Sequence, residues 1–161
     1  MSTGYAATFE PAMRAALAEA SAALAMQPAE VPVGAVVLDA EGAIIGRAHN
    51  RREADADPTA HAEIVAIRTV AAASGDWRLA GCSLVVTLEP CTMCAGAISA
   101  ARMARLVYGA ADPRAGAVGS LWDVLRDRRL DQQTEVIAGV LENECAGLLR
   151  EFFAGRRPPG G

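Results

Sequence analysis

The sequence predicts an α/β fold in which helices cover both faces of a mixed β-sheet. Two apolar, β-branched segments, 33–38 and 43–48, are joined by Asp39-Ala40-Glu41-Gly42, which is a hairpin signal. After this hairpin, segments with the character of strands alternate with segments of helical periodicity. We therefore expect an antiparallel hairpin that continues into a helix-covered sheet.

The remaining elements follow in order along the chain. Residues 9–25 predict a first helix before the hairpin, with an apolar stripe at helical spacing that consists of Phe9, Met13, Leu17, Ala20 and Leu24. Pro58 and Thr59 mark the start of the next helix. Its apolar stripe consists of Ile64, Ile67 and Val70. The later elements are a strand buried on both faces, a helix rich in Ala and Gly, two strands and a closing amphipathic helix, over residues 83–88, 92–101, 105–109, 133–138 and 140–153.

Length and composition limit the class of protein. A chain of 161 residues can bury a real core, and we expect one domain over residues 1–155 followed by a disordered tail over residues 156–161. No apolar run is long enough to span a bilayer, and residues 1–20 lack the pattern of a signal peptide. Four cysteines, two of them in C-x-x-C, fit a reducing compartment better than a disulfide scaffold. These features predict a cytoplasmic protein without a membrane partner.

One pair of motifs indicates the chemistry. His61-Ala62-Glu63 is followed by Pro90-Cys91-Thr92-Met93-Cys94. One histidine and two cysteines are the protein ligands of a catalytic zinc site whose fourth position is left to water. Glu63 is not needed as a ligand and is therefore free to move protons. The sequence thus predicts a catalytic zinc centre.

Two simpler interpretations of these residues explain less. A redox C-x-x-C pair would leave His61 and Glu63 without a role. A structural zinc site would need a fourth ligand at suitable spacing, whereas Cys82, Cys145 and His49 stand alone in the sequence. Cys82 and Cys145 are expected to be small buried hydrophobic residues.

The spacing of the motif residues predicts how the site is assembled. His61 and Glu63 are two residues apart, so they can face one pocket only at the first turn of a helix. Cys91 and Cys94 are three residues apart and share a face at the start of the next helix. There the helix dipole favours thiolates. We expect two helix N-termini to converge on one metal ion.

With these motifs in place, the chain resembles the bacterial tRNA-specific adenosine deaminases of the cytidine-deaminase-like superfamily over nearly its whole length. The zinc motif alone marks the superfamily, and a later Gly-Ser segment with a closing Phe-Phe helix narrows the resemblance to the tRNA branch. The matching segments are 31–36, 57–64, 87–91, 93–97, 109–112, 116–120 and 148–153, together with Asn50.

The resemblance implies hydrolytic conversion of adenosine to inosine at the wobble position of a tRNA anticodon, with Zn²⁺ and no organic cofactor. It also implies a three-layer α/β/α fold with a five-stranded mixed sheet, a single zinc deaminase domain and a homodimer. His61, Cys91 and Cys94 would hold zinc. Glu63 would act as general base and then as general acid, since zinc lowers the pKa of its bound water to about 7.

The homodimer is expected to place helix 92–101 near the interface. This helix carries small residues that permit close approach, although packing on its own sheet would explain them equally. They are Ala95, Gly96, Ala97, Ala100 and Ala101.

The resemblance also suggests which residues contact the substrate. Asn50 would contact the target base, Asp112 would lie by its ribose, and Phe153 would line the path of neighbouring nucleotides. By residue type alone, Asn50 is more typical of a turn. The net charge is −4 and the chain has no lysine, so we expect RNA to be held through local arginines. The first candidates are Arg51, Arg52, Arg156 and Arg157.

Two other functions stay open. A free-base or nucleoside deaminase of the guanine or cytosine type shares both zinc motifs, but needs a closed lid and no external basic patch. A catalytically silent zinc module that binds RNA is disfavoured by Glu63, because ligation and folding do not require that carboxylate.

Overall fold

The computed structural model describes residues 3–156. Within the predicted tail, only Arg156 belongs to the described residues, and Arg157 lies outside them. The element order is α1 Thr3–Ala7, α2 Glu10–Leu24, β1 Gly34–Leu38, β2 Ile44–His49, α3 Ala62–Ser74, β3 Ser83–Leu88, α4 Thr92–Ala100, β4 Arg105–Ala110, β5 Glu135–Ala138 and α5 Glu142–Ala154.

The strands form one five-stranded mixed sheet in the order β2-β1-β3-β4-β5. β1 is antiparallel to both β2 and β3, whereas the β3–β4 and β4–β5 pairs are parallel. The carboxyl ends of β3 and β4 therefore meet at the same edge of the sheet, where loops lead from one strand into α4 and from the other toward β5. The predicted five-stranded mixed sheet is confirmed.

Two apolar clusters lie on opposite faces of this sheet. On one face, side chains of α3 and α4 pack with Val37, Leu84 and Val86. On the other face, α2 and Cys145 of α5 pack with Val36 and Val85. Alternate residues of β1 and β3 thus enter different clusters, as the period of a strand requires. The three-layer arrangement is confirmed, and β3 is buried on both faces as its continuous apolar sequence predicts.

The predicted start of α3 was wrong by one turn. The helix begins at Ala62 because Asp57 first forms a tight turn, in which its Oδ1 accepts hydrogen bonds from Thr59 N at 2.8 Å and Thr59 Oγ1 at 2.7 Å. The buried face of α3 also differs from the apolar stripe predicted for this helix. Ala62 and Ala66 are buried with Val70, while Ile64 and Ile67 are half-buried.

Met13 and four alanines form the buried face of α2. Met13 and Ala20 of the predicted stripe are therefore buried as expected, whereas Leu17 and Leu24 are only half-buried. The close approach of α2 to the sheet explains this. A Cβ atom on Gly34 would collide with backbone atoms of Ala16 and Ala20. Large side chains would hold the helix too far from β1. No helix within residues 3–156 has the length and apolar character that crossing a membrane requires.

Candidate metal centre

Two helix starts bring the motif residues together. His61 is the N-cap of α3 and has extended backbone angles, with φ −66° and ψ 153°. Cys91 is the N-cap of α4, with φ −74° and ψ 178°. Glu63 and Cys94 lie in the first turns of the same two helices. The two helix N-termini therefore converge as predicted, and each helix contributes its N-cap residue and one residue of its first turn.

The side chains of His61, Cys91 and Cys94 could hold a metal ion, since their ligand atoms all lie within 4.8 Å of one another. Nδ1 of His61 is 3.7 Å from Sγ of Cys91 and 3.5 Å from Sγ of Cys94. Ligands of a tetrahedral zinc ion, at about 2.0–2.3 Å from the metal, lie roughly 3.5 Å apart. Among the described residues this group contains three members, which matches a site with one open position.

The electrostatics of the cysteine pair suit a soft cation. The adjacent side chain of Cys94 lowers the pKa of Cys91 to about 4. The same contact, together with burial, raises the pKa of Cys94. The hydrogen bond with Cys91 also raises the pKa of His61. A ready thiolate at Cys91 is the form in which cysteine binds a metal.

Glu63 lies directly beside the three ligand atoms. Its side chain is buried, with 4 % of the residue exposed, and its Oε2 accepts a hydrogen bond from Cys94 Sγ at 2.7 Å. The same oxygen is 4.0 Å from Nδ1 of His61. Burial raises the pKa of the Glu63 carboxyl, which favours a group that can bind and release a proton.

A cavity of about 150 Å³ opens over His61, Glu63 and Cys91. This volume is much larger than the ~10–15 Å³ that one water molecule needs. Val31, Val33 and Leu88 form apolar parts of the wall. The polar lining comes from Asn50, Arg52, His61, Glu63, Glu89, Cys91 and Asp112. The structure thus brings six of the sequence-predicted residues into one cavity.

Asn50 forms a turn, as its residue type suggests, and it also lines the cavity, where it could contact a base. Its Oδ1 accepts a hydrogen bond from Arg52 N at 3.1 Å, which is the turn-forming interaction. Its Nδ2 donates to Val31 O at 3.3 Å. These two bonds fix the amide at the pocket wall and leave one N–H and part of the acceptor capacity of Oδ1 for another group.

Asp112 lines the same cavity from the loop that follows β4, two residues after the strand ends at Ala110. Its Oδ1 accepts hydrogen bonds from Arg114 N at 3.0 Å and Ala115 N at 3.3 Å, so the carboxylate also shapes its own loop. The other two candidates lie elsewhere. Phe153 on α5 is 51 % exposed and contacts the ring of Phe152, and neither Phe153 nor Arg156 lines the cavity.

Arg156 packs its guanidinium 3.6 Å from the centre of the Phe152 ring and donates to Phe152 O at 3.3 Å. Arg51 is held by Asp55, with hydrogen bonds of 3.0 and 2.8 Å. Arg52 is exposed at the cavity and has no ion pair with any residue in the range 3–156. Of the three candidate arginines that the structure describes, Arg52 is therefore the one that lines the cavity and is available for another contact.

Sequence reasoning gave no role to Glu89, which precedes the Pro-Cys motif. This residue is buried, with 2 % exposed, and its carboxylate accepts hydrogen bonds from loop 112–120. Burial acts to raise the pKa of Glu89, but the hydrogen bonds from Ser120, Asp112 and Val118 outweigh it and lower the pKa. A charged residue at the end of an apolar strand was the signal that could have identified it.

Comparison with known proteins agrees with the geometry. Residues 7–110 match the family described as cytidine and deoxycytidylate deaminase zinc-binding region. The chain is 48 % identical over 141 residues to the tRNA-specific adenosine deaminase of Bacillus subtilis (strain 168), which covers 88 % of this chain and 86 % of the relative.

Solved structures show the same likeness. A structure from a study of A-to-I editing by tRNA deaminases at the wobble position of transfer RNA superposes with a TM-score of 0.81, at 46 % identity over 86 % of this chain and 98 % of that chain. A guanine deaminase from Nitrosomonas europaea superposes with a TM-score of 0.74, at 28 % identity over 90 % of this chain and 84 % of that chain.

Proposed function

The chain belongs to the zinc-binding cytidine and deoxycytidylate deaminase family and, within it, to the tRNA-specific adenosine deaminases, and we propose that it converts adenosine to inosine at the wobble position of a tRNA anticodon. The observation that carries this proposal is that the buried, non-ligating carboxylate of Glu63 lies beside three metal-ligand side chains at the cavity, which His61, Glu63 and Cys91 line.

We assign the metal to His61, Cys91 and Cys94, whose atom types and spacing fit zinc. A zinc ion held by these three side chains would supply the Lewis acidity that makes a hydroxide nucleophile available at neutral pH. Glu63 would accept one proton from the attacking water and transfer it to the adenine ring. It would then take the remaining proton of the hydroxyl group added to the ring and deliver it to the amine, which departs as ammonia. The sum is hydrolysis of adenosine and water to inosine and ammonia.

The cavity wall orients the base in this proposal. The free N–H and acceptor capacity of Asn50 suit the polar edge of a purine. Val31, Val33 and Leu88 offer apolar contact to its faces. Asp112 stands at the other polar part of the wall, where a ribose hydroxyl can donate to its carboxylate. Phe153 and Arg156 would contact nucleotides outside the cavity, along α5.

Three further proposals concern the extent of the domain, the location of the protein in the cell and its oligomeric state. The domain spans residues 1–155, the protein acts in the cytoplasm where tRNA is its substrate, and it works as a homodimer. The dimer is supported by the face of α4 that its own sheet leaves exposed, which contains Thr92, Gly96 and Ala100. Ala95 and Ala101 are buried and pack within the chain, so only part of the small-residue surface is available to a second copy.

The test compares substrates under identical conditions. We expect inosine from a full tRNA and from an anticodon stem-loop with adenosine at the wobble position, detected by nuclease digestion and chromatography. A stem-loop with the adenosine moved by one position is the matched control. Free adenosine, guanine and cytosine form the other arm. Efficient formation of xanthine or uracil, without inosine from the stem-loop, would replace this proposal by the small-molecule alternative.

A further inference from the structure

We propose that Glu89 is a positioning residue that fixes the substrate wall of the cavity relative to the metal ligands. This inference rests on the proposed function. Glu89 lies between the metal ligands and the substrate wall. Pro90 and the ligand Cys91 follow it in the chain, and its carboxylate accepts a hydrogen bond from the backbone N–H of Asp112 in the wall.

The carboxylate of Glu89 is devoted to one loop. Oε1 accepts hydrogen bonds from Val118 N and Ser120 N, both at 3.0 Å. Oε2 accepts from Asp112 N at 2.9 Å and from the hydroxyl of Ser120. Three backbone N–H groups and one side chain, spread over residues 112–120, therefore converge on a single buried anion.

Backbone hydrogen bonds complete the junction. Glu89 N donates to Ala110 O at 2.8 Å, and Ala117 N donates to Pro90 O at 2.8 Å. These two backbone hydrogen bonds attach the segment 110–117 to Glu89 and Pro90, directly before Cys91. The Glu89 carboxylate adds hydrogen bonds to Asp112 at the start of the loop and to Ser120 at its end.

The loop is also shaped to receive this side chain. A Cβ atom on Gly116 would collide with the Glu89 carboxylate and with Asp112 O. Position 116 therefore has no room for any side chain while Glu89 occupies its place. Between Asp112 and Gly116 lies Ala115, which lines the cavity, so any movement of this segment changes the wall.

The arrangement separates the two parts of the active site. His61, Glu63 and Cys94 lie at the starts of α3 and α4, and the hydrogen bonds of the Glu89 carboxylate go to loop 112–120 instead of to these helices. The Asp112 side of the cavity depends on the carboxylate directly. Glutamine in place of Glu89 would turn an N–H₂ group toward backbone N–H donors, because only one oxygen remains as acceptor. The wall should then shift while the metal ligands stay in place.

The experiment measures kcat, KM and zinc content with the anticodon stem-loop. For Glu89→Gln we expect KM to rise by about 10- to 100-fold, because small displacements of positioning groups have effects of this size. Zinc per chain should equal that of the wild type, and kcat should fall much less than KM rises. Thr134→Val is the matched control: it removes a buried hydrogen bond of 3.1 Å to Met103 O, far from the cavity lining. A variant that only reduces the amount of folded protein would have a lower apparent kcat and an unchanged KM. This is the result expected for Thr134→Val.

Two further variants test the same contact if Glu89→Gln does not fold. Ser120→Ala removes one of the four hydrogen bonds and should raise KM by less. Gly116→Ala disturbs the same place without changing Glu89 and should raise KM at normal zinc content. Hydrogen exchange in loop 112–120 should accelerate in each folded variant and remain unchanged in α3 and α4.

The outcomes distinguish this inference from the proposed function. Unchanged KM and exchange in all folded variants would overturn the role of Glu89, as would loss of zinc in parallel with activity. A wild type that produces no inosine would instead overturn the proposed function and with it the substrate part of the inference. The exchange measurements would then still decide whether Glu89 holds the loop.

Discussion

Sγ of Cys94 donates a hydrogen bond to Oε2 of Glu63 across 2.7 Å, so a buried carboxylate from α3 touches a metal-ligand atom from α4. The contact places a proton acceptor at the edge of the ligand set without making it part of the set. A group in this position can exchange protons with whatever occupies the open side of the centre.

Glu63→Gln should retain zinc and fold but lose activity by about 10²- to 10⁴-fold, because an amide cannot accept and return a proton. The measurement is single-turnover formation of inosine from the anticodon stem-loop, together with zinc analysis. Glu41→Gln, at an exposed position of the β1–β2 hairpin, is the control and should behave as wild type. Near-normal turnover in Glu63→Gln would exclude the assigned role.

Cys91→Ser should lower zinc from one ion per chain to a small fraction and abolish activity, since the soft thiolate ligand is lost. Elemental analysis after dialysis against a chelator measures this directly. Cys82→Ser changes a half-buried thiol outside the ligand group and should keep both zinc and activity. Full zinc content in Cys91→Ser would show that the metal is held elsewhere.

The metal site could be predicted from the sequence because its information is local. His61 and Glu63 are two residues apart in one motif, and Cys91 and Cys94 are three apart in another, so the geometry at a helix start relates the members of each pair. The strands were predictable for a similar reason, since each is an apolar run bounded by turn residues.

What the sequence could not reveal depends on contacts between distant segments. Glu89 meets partners that lie 23, 29 and 31 residues away in the chain, and no spacing rule relates these positions. Leu17 and Leu24 of α2 are less buried than predicted, because Gly34 allows a close approach that favours alanine over leucine. The start of α3 was missed because the turn at Asp57 replaces the first helical turn.

The tight contact at Gly34 leads to a prediction about stability. Gly34→Ala should lower the free energy of unfolding by about 1–3 kcal/mol, because the added methyl group collides with the backbone of α2. Gly147→Ala, within α5, meets only Arg150 at 3.8 Å and should stabilise by about 0.5–1 kcal/mol. Urea unfolding followed by circular dichroism gives both values. Equal stability of the two variants would contradict the close packing of α2 on β1.

The proposed homodimer should have twice the mass of one chain in light scattering at assay concentrations. Gly96→Arg introduces a large charged side chain at a position with open space around it, so the folded monomer can accept it. If α4 lies in the interface, this variant should be monomeric and retain its circular dichroism spectrum. A monomeric wild type would disprove the dimer, and a dimeric Gly96→Arg would move the interface away from this face.

Binding of tRNA should depend on salt through arginines near the cavity, despite the net charge of −4. Arg52 is the strongest candidate, because it is exposed, lines the cavity and forms no ion pair with another residue in the described range. Arg51 is engaged by Asp55 through two hydrogen bonds and must break them to contact a phosphate. We therefore expect Arg52→Ala to weaken binding more than Arg51→Ala.

Titrations of an anticodon stem-loop over a series of salt concentrations test this expectation. Loss of one phosphate contact should reduce the slope of log K against log salt by about 0.7–0.9. Arg52→Ala should show that reduction, while its kcat at saturating substrate stays close to the wild-type value. Arg129→Ala removes an exposed arginine that pairs with Asp127 outside the cavity lining, and should leave the slope unchanged. An unchanged slope in Arg52→Ala, or equal effects of all three substitutions, would mean that the phosphate contacts lie on another surface, for which the exposed Arg156 beside Phe153 is the next candidate.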